Sequence, residues 1–538
     1  MLTDFRSNSG TLRMKGINGI LPEKQFTRGF KHAFSPVLVV LFISVISLQG
    51  ISQKSIDTEK LDEYITACMK DWEIPGLAIG IVKDDSVIFA KGYGVRELGK
   101  KDKVDVNTMF GIASLSKAFT AACLAVLVDE GRISWDDKVT DYLEYFRLYD
   151  PCATHEITVR DLLCHRAGFR TFSGDLLWYT TTYTRREIIE RIQYLEPAYS
   201  FRSQYGYSNL MFLVAGELIP AISGKSYDEF VQTRIFDPLG MKNSNTSISE
   251  HKNYDNVAIP HDKVNGKMTP IIYRSWDNIA PAGGINSTVS DMVKWIKLQL
   301  NSGTFNGKEL YSSARQKEMW QAHTPQNPPA LNKTIHFRAY GLGWGMMDYY
   351  GRKVVYHGGA CDGMISRIAL VPEEKLGFVI LTNNINALPA ALMYRIIETY
   401  MGEKGKKYSD LFLNYYKSRE EQQKQKMEKE EAERVKDSSP TLPLKDYTGT
   451  YRCRLYGEAK VTYKNKKLII SFVPAPDFTS EMDHWQYNTF RIKFEKYVYL
   501  PEGKVTFTIN AKGKPDKMFI DVPNPDFHFY ELIFEKVE

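Results

Sequence analysis

A run of charged residues divides this 538-residue chain into two parts of different character. Nearly every residue from 419 to 437 is charged or Gln, and Glu alternates with Lys, which is typical of a solvated helix. Residues 438–443, rich in Ser and Pro, predict an extended spacer. Because neither segment offers an apolar face, one continuous core cannot include them. We therefore predict a charged linker at residues 405–440 with a separate domain on each side.

The segment after this linker has the composition of a small β domain. It is rich in Tyr, Phe, Val, Ile and Lys, and short alternating runs at residues 459–463 and 467–472 are typical of strands. Turn residues such as Lys512-Gly513 separate these runs. We predict an all-β sandwich or barrel over residues 441–538. Its candidate roles are to cap a cleft, to mediate oligomerisation, or to bind a ligand in its own barrel.

The part before the linker, residues 53–404, alternates between helix and strand patterns. Residues 77–90 predict two strands joined at Asp84-Asp85. Since strands lie at both ends of this region with helices between them, we predict an α+β layered domain. The other predicted elements are an apolar helix at residues 114–130 that ends at Gly131, an amphipathic helix at residues 290–300, and strands at residues 352–356, 365–371 and 375–382.

The first residues have the pattern of an export leader. Residues 1–34 carry six basic and two acidic residues, so most of the net charge of +6 lies there. An apolar run at residues 36–48 has the length of a signal-peptide core and is short for a membrane span. We predict a signal peptide or N-terminal anchor over residues 1–52, with cleavage before Gln53. The protein is then exported, periplasmic or secreted, or alternatively anchored to the membrane.

Ser114 and Lys117 form the first candidate for chemistry. A Ser three residues before a Lys places both side chains on one helix face, a turn apart. The amine can accept the hydroxyl proton, and N–H groups at the helix start can stabilise an oxyanion. A second Ser-x-x-Lys match, at Ser249 and Lys252, lies in a polar stretch and is interpreted as a chance match.

Two further short motifs follow. Tyr207-Ser-Asn209 directly precedes an apolar helix pattern, although a lone Tyr is more often a core or surface residue. His357-Gly-Gly-Ala360 lies between two predicted strands, where paired glycines allow the backbone to approach a ligand closely. The alternative interpretation of this motif is a hairpin turn with an exposed His.

The order of these motifs, together with other segments, resembles the penicillin-binding-protein and class C β-lactamase family of serine hydrolases. The resemblance covers about residues 57–400. It implies a layered fold in which an antiparallel sheet is flanked by helices and joined to a mainly helical sub-domain. The C-terminal part resembles the small β-barrel module appended to some of these hydrolases. The supporting segments are residues 74–80, 90–95, 157–168, 281–288, 340–344 and, in the module, 446–451.

The resemblance implies a role for each residue of the motifs. Ser114 is the acylated nucleophile, and Lys117 shares or takes its proton. Tyr207 acts with Lys117 as general base, since a nearby ammonium lowers the pKa of a phenol. Asn209 holds the amide of the acyl group. The implied residues of the sheet edge are His357 in place of the usual Lys, Gly358 and Gly359 against the substrate, and the backbone N–H of Ala360, which completes the oxyanion hole with that of Ser114.

His357 is the departure that bears on the substrate. A Lys at this place helps to hold a substrate carboxylate, whereas a neutral His gives a weaker and pH-dependent hold. Family members with His resemble esterases and D-amino-acid peptidases. We therefore predict hydrolysis of a small ester or a D-amino-acid-containing peptide, with cell-wall peptides among the candidates. The alternatives are a peptidoglycan-binding, β-lactam-binding or scaffold protein without activity, and a true β-lactamase.

Other classes of protein lack support in this sequence. Little net charge remains outside the leader, so a nucleic-acid partner is not predicted. There is no GxSxG, HExxH, P-loop or helix-opening GxGxxG motif, and no cofactor or metal is predicted. The six cysteines are scattered, and a bridge between Cys152 and Cys164 is left open. His165 and Cys361 are interpreted as packing residues.

Overall fold

The computed structural model describes residues 57–330, 332–402, 407–497 and 500–537. The predicted leader over residues 1–52 lies outside these ranges. Across the described ranges, no helix combines the length and the apolar character that crossing a membrane requires. The six cysteines are all free thiols, so Cys152 and Cys164 are not bridged.

The helices and strands alternate from residue 58 to residue 401, and among the described residues strands with two short 3₁₀ turns follow the last α-helix. The helices are α1 (Thr58–Asp71), α2 (Ser116–Asp129), α3 (Pro151–Glu156), α4 (Val159–Leu163), α5 (Arg185–Arg191), α6 (Asn209–Ser223), α7 (Tyr227–Val231), α8 (Asp237–Leu239), α9 (Ala280–Gly283), α10 (Val289–Leu300), α11 (Ser313–Met319), α12 (Leu388–Met401) and α13 (Tyr408–Ala432). The strands are β1 (Gly76–Lys83), β2 (Ser86–Gly94), β3 (Phe110–Gly111), β4 (His261–Val264), β5 (Lys267–Pro270), β6 (Asn286–Ser287), β7 (Thr304–Phe305), β8 (Lys308–Glu309), β9 (Thr324–Gln326), β10 (Arg338–Tyr340), β11 (Gly345–Tyr349), β12 (Arg352–Cys361), β13 (Met364–Val371), β14 (Leu376–Thr382), β15 (Gly449–Cys453), β16 (Gly457–Lys464), β17 (Lys467–Phe472), β18 (Ala475–Gln486), β19 (Thr489–Ile492), β20 (Gly503–Ile509), β21 (Pro515–Asp521) and β22 (Ile533–Lys536).

An antiparallel sheet of eight strands forms the centre of the first part, in the order β2-β1-β14-β13-β12-β11-β10-β9. Side chains alternate between its two faces because successive residues of a strand point in opposite directions. In β1, Leu77, Ile79 and Ile81 belong to the core that also contains α1 and α12. Ala78 and Val82 belong to the core on the other face, with α10 and the helical part. The predicted layered fold is confirmed.

Helix α2 is the central element of the helical part. It is apolar around nearly its whole circumference and is buried from Ser116 to Leu127, as expected for a helix surrounded by others. The sequence places Ser114 at the start of this helix. In the structure a separate 3₁₀ turn, Ala113–Leu115, precedes the helix and carries Ser114. The helix ends at Asp129, and Gly131 has the positive φ of +67° expected after a helix end.

Strand β12 is longer than its sequence pattern indicates. The predicted strand ends at Tyr356, but β12 continues through His357 to Cys361 and pairs with β13 along this extension. The hairpin-turn interpretation of His357–Ala360 is therefore wrong. Strand β11 pairs with β12 only as far as Tyr356. Residues 357–361 consequently form a free sheet edge.

The C-terminal part is a closed barrel of eight antiparallel strands, β15 to β22. Buried and exposed residues alternate along β16 and β18, which gives the barrel an apolar interior. The rings of Phe478 and Phe494 stack there with their centroids 4.7 Å apart. Pairing of Tyr451 in β15 with Lys536 in β22 closes the barrel. Of the two predicted architectures, a sandwich or a barrel, the barrel is observed.

The predicted charged linker contains a 25-residue helix, α13, which is mostly exposed. Both of its ends contact folded parts. Near its start, the Trp72 indole N–H donates to Ser409 Oγ at 3.0 Å. Near its end, Lys504 of the barrel donates to Glu430 at 2.7 Å. The helix therefore connects the sheet to the barrel as a docked element and does not form a free spacer.

Candidate active site

A cavity of about 710 Å³ lies between the free edge of β12, the start of α2 and the barrel. It brings together residues that are far apart in the sequence. Lys117 lies beneath it, fully buried and in contact with Ser114. The other residues of the predicted site all line the cavity, namely Ser114, Tyr207, Asn209, His357, Gly358, Gly359 and Ala360.

Ser114 is held on the 3₁₀ turn by its neighbours. Ala113 has a φ of +47°, a left-handed conformation that is strained for any residue but Gly. The Ser116 hydroxyl donates to the Ala113 carbonyl at 2.7 Å and accepts from the Ile285 N–H at 3.1 Å. These bonds hold the strained turn and direct Ser114 into the cavity.

Lys117 is a buried amine whose Nζ contacts three groups of the site. Its Nζ lies 3.0 Å from Ser114 Oγ, 2.7 Å from Asn209 Oδ1 and 2.8 Å from the Ala282 carbonyl oxygen. Burial lowers the pKa of this amine well below its usual value. A neutral amine has two N–H groups, and the two carbonyl oxygens can only accept. Its lone pair is then directed to the Ser114 hydroxyl.

Asp175 is a site residue that the sequence analysis missed. The Asn209 side-chain N–H donates to Asp175 Oδ2 at 2.6 Å, while Asn209 Oδ1 accepts from Lys117. Asn209 thus links the amine to a buried carboxyl, whereas the prediction has it hold the substrate amide. Burial raises the pKa of Asp175 to about 7. Asp175 opens a 3₁₀ turn of three residues, too short to leave a periodic pattern in the sequence.

Tyr207 lies over the amine, with its ring centroid 4.7 Å from Lys117 Nζ. The predicted lowering of its pKa is wrong in direction. Burial raises the pKa of Tyr207 well above its usual value, and a hydrogen bond with the Ser114 side chain offsets this only in part. The phenol is therefore protonated and can donate. His165 packs on it at 4.1 Å and accepts from the Ser208 N–H, which confirms its interpretation as a packing residue.

His357 has both ring nitrogens engaged within the protein. Nδ1 lies 2.7 Å from the Gly358 carbonyl oxygen, and Nε2 lies 2.7 Å from the Tyr340 hydroxyl. Because a carbonyl only accepts, Nδ1 carries the proton and Nε2 accepts from Tyr340. Burial is the main cause that lowers the pKa of His357 to about 3. The predicted pH-dependent hold on a carboxylate is therefore wrong, since the ring is neutral at ordinary pH.

Gly359 sets how closely β12 approaches Ser114. A Cβ at this position would lie 2.2 Å from Ser366 Oγ, 2.3 Å from the Ile112 carbonyl oxygen and 3.1 Å from the Ser114 nitrogen. Only glycine allows this contact between the free edge and the 3₁₀ turn. Ala360, the next residue, is exposed to the cavity. The assignment of its N–H to an oxyanion hole stays a prediction.

Two arginines in the same cavity were also missed. Arg338 donates from Nε to the Tyr356 hydroxyl at 3.1 Å. Arg367 lies behind Gly358, where an added Cβ would meet its guanidinium carbon at 3.1 Å. Its Nε is buried without a hydrogen-bond partner among the described residues, and the groups near its charge, which are Tyr356, Tyr394 and Arg338, include no carboxylate. Neither arginine lies in a recognisable sequence motif, so only the folded structure shows that they belong to the site.

Within the described ranges, no group of three or more His, Cys, Asp or Glu side chains is arranged to hold a metal ion.

The barrel supplies part of the cavity wall. The cavity is thus lined by residues of both parts of the chain. The barrel residues that line it are Leu500, Asn524, Pro525, Asp526 and Phe527.

Comparisons with known proteins agree with this division. A model of the Beta-lactamase family matches residues 61–393, and a domain of unknown function, DUF3471, matches residues 433–536. The chain is 28% identical over 440 residues to unguisins hydrolase ungD' of Aspergillus campestris, covering 76% of this chain and 78% of that protein. It is 27% identical to Protein flp of Staphylococcus aureus over 344 residues, 62% of this chain and 64% of that protein.

A solved structure is similar in fold. It is the octameric penicillin-binding protein homologue from Pyrococcus abyssi, with a TM-score of 0.58 and 21% sequence identity. The match covers 89% of this chain and 100% of that one. At this identity the likeness bears on the fold alone.

Proposed function

Since the chain belongs to the Beta-lactamase family, a family of hydrolases, we propose that it is a serine hydrolase that forms an acyl-enzyme on Ser114. One observation carries this proposal. The buried Lys117 Nζ lies 3.0 Å from Ser114 Oγ, and two carbonyl oxygens take up its N–H groups. A neutral amine in this setting is a general base for the Ser114 hydroxyl.

The geometry supports the following sequence of steps. Lys117 takes the Ser114 proton as Oγ forms a bond to the substrate carbonyl carbon. The leaving group takes a proton from the Tyr207 phenol as its bond to that carbon breaks, and Lys117 returns a proton to Tyr207. Water then attacks the carbonyl carbon of the acyl-enzyme and gives up a proton through the same pair. That proton passes to Ser114 Oγ as the bond between Oγ and the acyl carbon breaks, which releases the acid and restores the serine. We assign the oxyanion hole to the backbone N–H groups of Ser114 and Ala360.

We propose a D-amino-acid-containing peptide or a small ester as substrate, with cell-wall peptides among the candidates. His357 is neutral and bonded to Tyr340, so the cation expected there in a β-lactamase is missing. Arg338 and Arg367 instead place two guanidinium groups in the cavity. A free carboxylate on the substrate matches them, which favours a peptide. Two fungal relatives named as hydrolases of unguisins are consistent with a hydrolytic function.

The cellular location is also a proposal. The basic leader and its short apolar run support export to the periplasm or the exterior, with an N-terminal anchor as the alternative. N-terminal sequencing of protein purified from its native host tests this. A chain that begins near Gln53 supports a cleaved signal peptide, and a retained leader supports the anchor.

Labelling with a fluorophosphonate tests the proposed function. We expect a covalent adduct on Ser114, found by mass spectrometry of the folded protein and absent from Ser114→Ala. Ser249→Ala is the matched control, because Ser249 belongs to the second Ser-x-x-Lys match and lies on the surface. It should label like the wild type. Folded protein without an adduct would instead support the non-catalytic binder, and rapid turnover of cephalosporins alone would support a β-lactamase.

A further inference from the structure

The orientation of the Asn209 amide decides where the amine of Lys117 points. Asn209 Oδ1 accepts from Lys117, and its N–H donates to Asp175 Oδ2 at 2.6 Å. If the amide turned over, it would present an N–H group to Lys117 and remove one of the two carbonyl acceptors. Asp175 opposes this because its Oδ2, which accepts from the Asn209 N–H, would then face the Asn209 carbonyl oxygen. The position of Asp175 therefore controls the alignment of Lys117 with Ser114.

The turn that carries Asp175 is held from the barrel. Glu531 accepts from the Ser173 hydroxyl at 2.6 Å through one oxygen and from the Gly174 N–H at 2.9 Å through the other. Gly174 is the residue directly before the 3₁₀ turn that begins with Asp175, and it has a φ of +76°. A bidentate carboxylate on two successive residues fixes both the position and the direction of the turn.

The barrel also contacts the residues that directly follow the Asp175 turn. The Phe527 ring of the barrel stacks on Tyr179 with a centroid distance of 3.9 Å and an interplanar angle of 24°. It also lies 6.1 Å from the ring of Trp178. Stacked aromatic pairs of this kind contribute about 0.5–1.5 kcal/mol beyond the burial of their area. The barrel thus contacts residues 173–179 on both sides of Asp175.

We infer that the C-terminal barrel is part of the hydrolase site, and that Glu531 is a positioning residue that aligns Lys117 through Asp175 and Asn209. The inference rests on the proposed function for its catalytic consequence. It gives the domain of unknown function a definite role. The barrel completes the cavity wall with Asn524–Phe527 and fixes the turn that orients the base, which goes beyond covering the cleft.

The rate of Ser114 labelling by a fluorophosphonate tests this in the full-length protein. Glu531→Ala should label about tenfold more slowly, since a small misplacement of a catalytic group costs rate steeply. Glu531→Gln should restore most of the rate, because its amide oxygen can accept from Gly174 and its N–H can donate to the Ser173 hydroxyl. Ser173→Ala removes one of the two bonds and should give a smaller loss.

Tyr183→Phe is the matched control. The Tyr183 hydroxyl donates to the Tyr456 carbonyl at 2.8 Å, so this variant also loses a hydrogen bond to the barrel, but one with no link to Asp175. It should label within about twofold of the wild type. Equal rates for Glu531→Ala and the wild type would overturn the inference. So would a loss in Tyr183→Phe as large as that in Glu531→Ala, because docking in general would then be the cause.

Amide hydrogen exchange separates this inference from the proposed function. In Glu531→Ala, exchange over residues 172–179 should rise above that of the wild type, while in Tyr183→Phe it should not. This measurement does not require a reactive serine. A wild type that fails to label would overturn the proposed function, and unchanged exchange in Glu531→Ala would overturn the positioning role of Glu531.

Discussion

Arg367 is a half-buried charged residue that lines the cavity, and within the part of the chain that the structure describes no carboxylate is among the groups near its charge. Its Nε has no hydrogen-bond partner among the described residues, and its pKa is lowered by burial and by the neighbouring Arg338. A charge that is partly removed from water without a partner of opposite sign is unfavourable. Such a cost is usual at sites where a ligand supplies the missing charge. The arginine pair therefore points to an anionic group on the substrate.

Substitution of Arg367 by Met should weaken the binding of peptides that end in a free carboxylate. Loss of hydrogen bonds to a charged group costs about 1.5–3 kcal/mol, which corresponds to a rise in KM of about 10- to 150-fold. Steady-state kinetics on a peptide and its C-terminal amide measures the effect, and KM for the amide should change little. Arg352→Met is the control, because Arg352 pairs with Glu374 at the far end of β12. An equal rise in KM for both peptides would contradict this account.

Strand β12 is the element that brings the sheet into contact with the turn that carries Ser114. Its free edge over residues 357–361 packs on the 3₁₀ turn at Gly359, without room for a side chain. Any shift of the edge therefore moves Ser114 relative to the cavity wall. The next residue back, Gly358, faces the other side of the sheet and meets only the end of the Arg367 side chain.

Gly359→Ala should disrupt the site more than it disrupts the fold. The new Cβ overlaps the Ile112 carbonyl, and overpacking of this kind costs about 1–3 kcal/mol. We expect a lower melting temperature and a loss of Ser114 labelling of at least tenfold. Gly358→Ala should lose less labelling and less thermal stability than Gly359→Ala, because the flexible Arg367 guanidinium can move away from the new Cβ. Thermal unfolding and labelling rates measured on both variants check this, and a Gly359→Ala protein that labels at the wild-type rate would contradict it.

The elements differ in how far their sequences predict them. The β1–β2 hairpin follows from alternation and a turn at Asp84-Asp85, both local properties. The extension of β12 does not, because paired glycines are more frequent in turns than in strands. Likewise, the motifs at Ser114 and Tyr207 have local spacing and were predicted. The residues brought to the site only by long-range folding were not predicted, and they are Asp175, Arg338, Arg367 and Glu531.

At the scale of the whole molecule, two domains joined by a charged helix share one cavity. Composition alone predicted the division, because the charged run cannot contribute to a core. Their docking could not be predicted in this way. It depends on contacts such as that between Gly174 and Glu531, which are 357 residues apart in the chain. Helix α13 reinforces the docking, since each of its ends is bonded to one domain.

Cleavage of the exposed linker should therefore leave the two domains associated. Helix α13 has several exposed lysines that trypsin can cut, and the contacts at Phe527, Glu531 and Tyr183 do not depend on it. We expect the two fragments to elute together in size-exclusion chromatography and to retain Ser114 labelling. Mass spectrometry of the peak identifies the fragments. Separate elution of the barrel fragment, with labelling unchanged, would contradict the shared site.

The shared cavity also has a consequence for biosynthesis. A ribosome makes Ser114, Lys117 and the Asp175 turn long before it makes Glu531, and the Gly174–Glu531 bond cannot form until the barrel strands have followed. A nascent chain therefore carries Ser114 and Lys117 before the cavity wall is complete. On the proposed function, we expect an incomplete chain to lack the alignment of Lys117 with Ser114 until the barrel has folded.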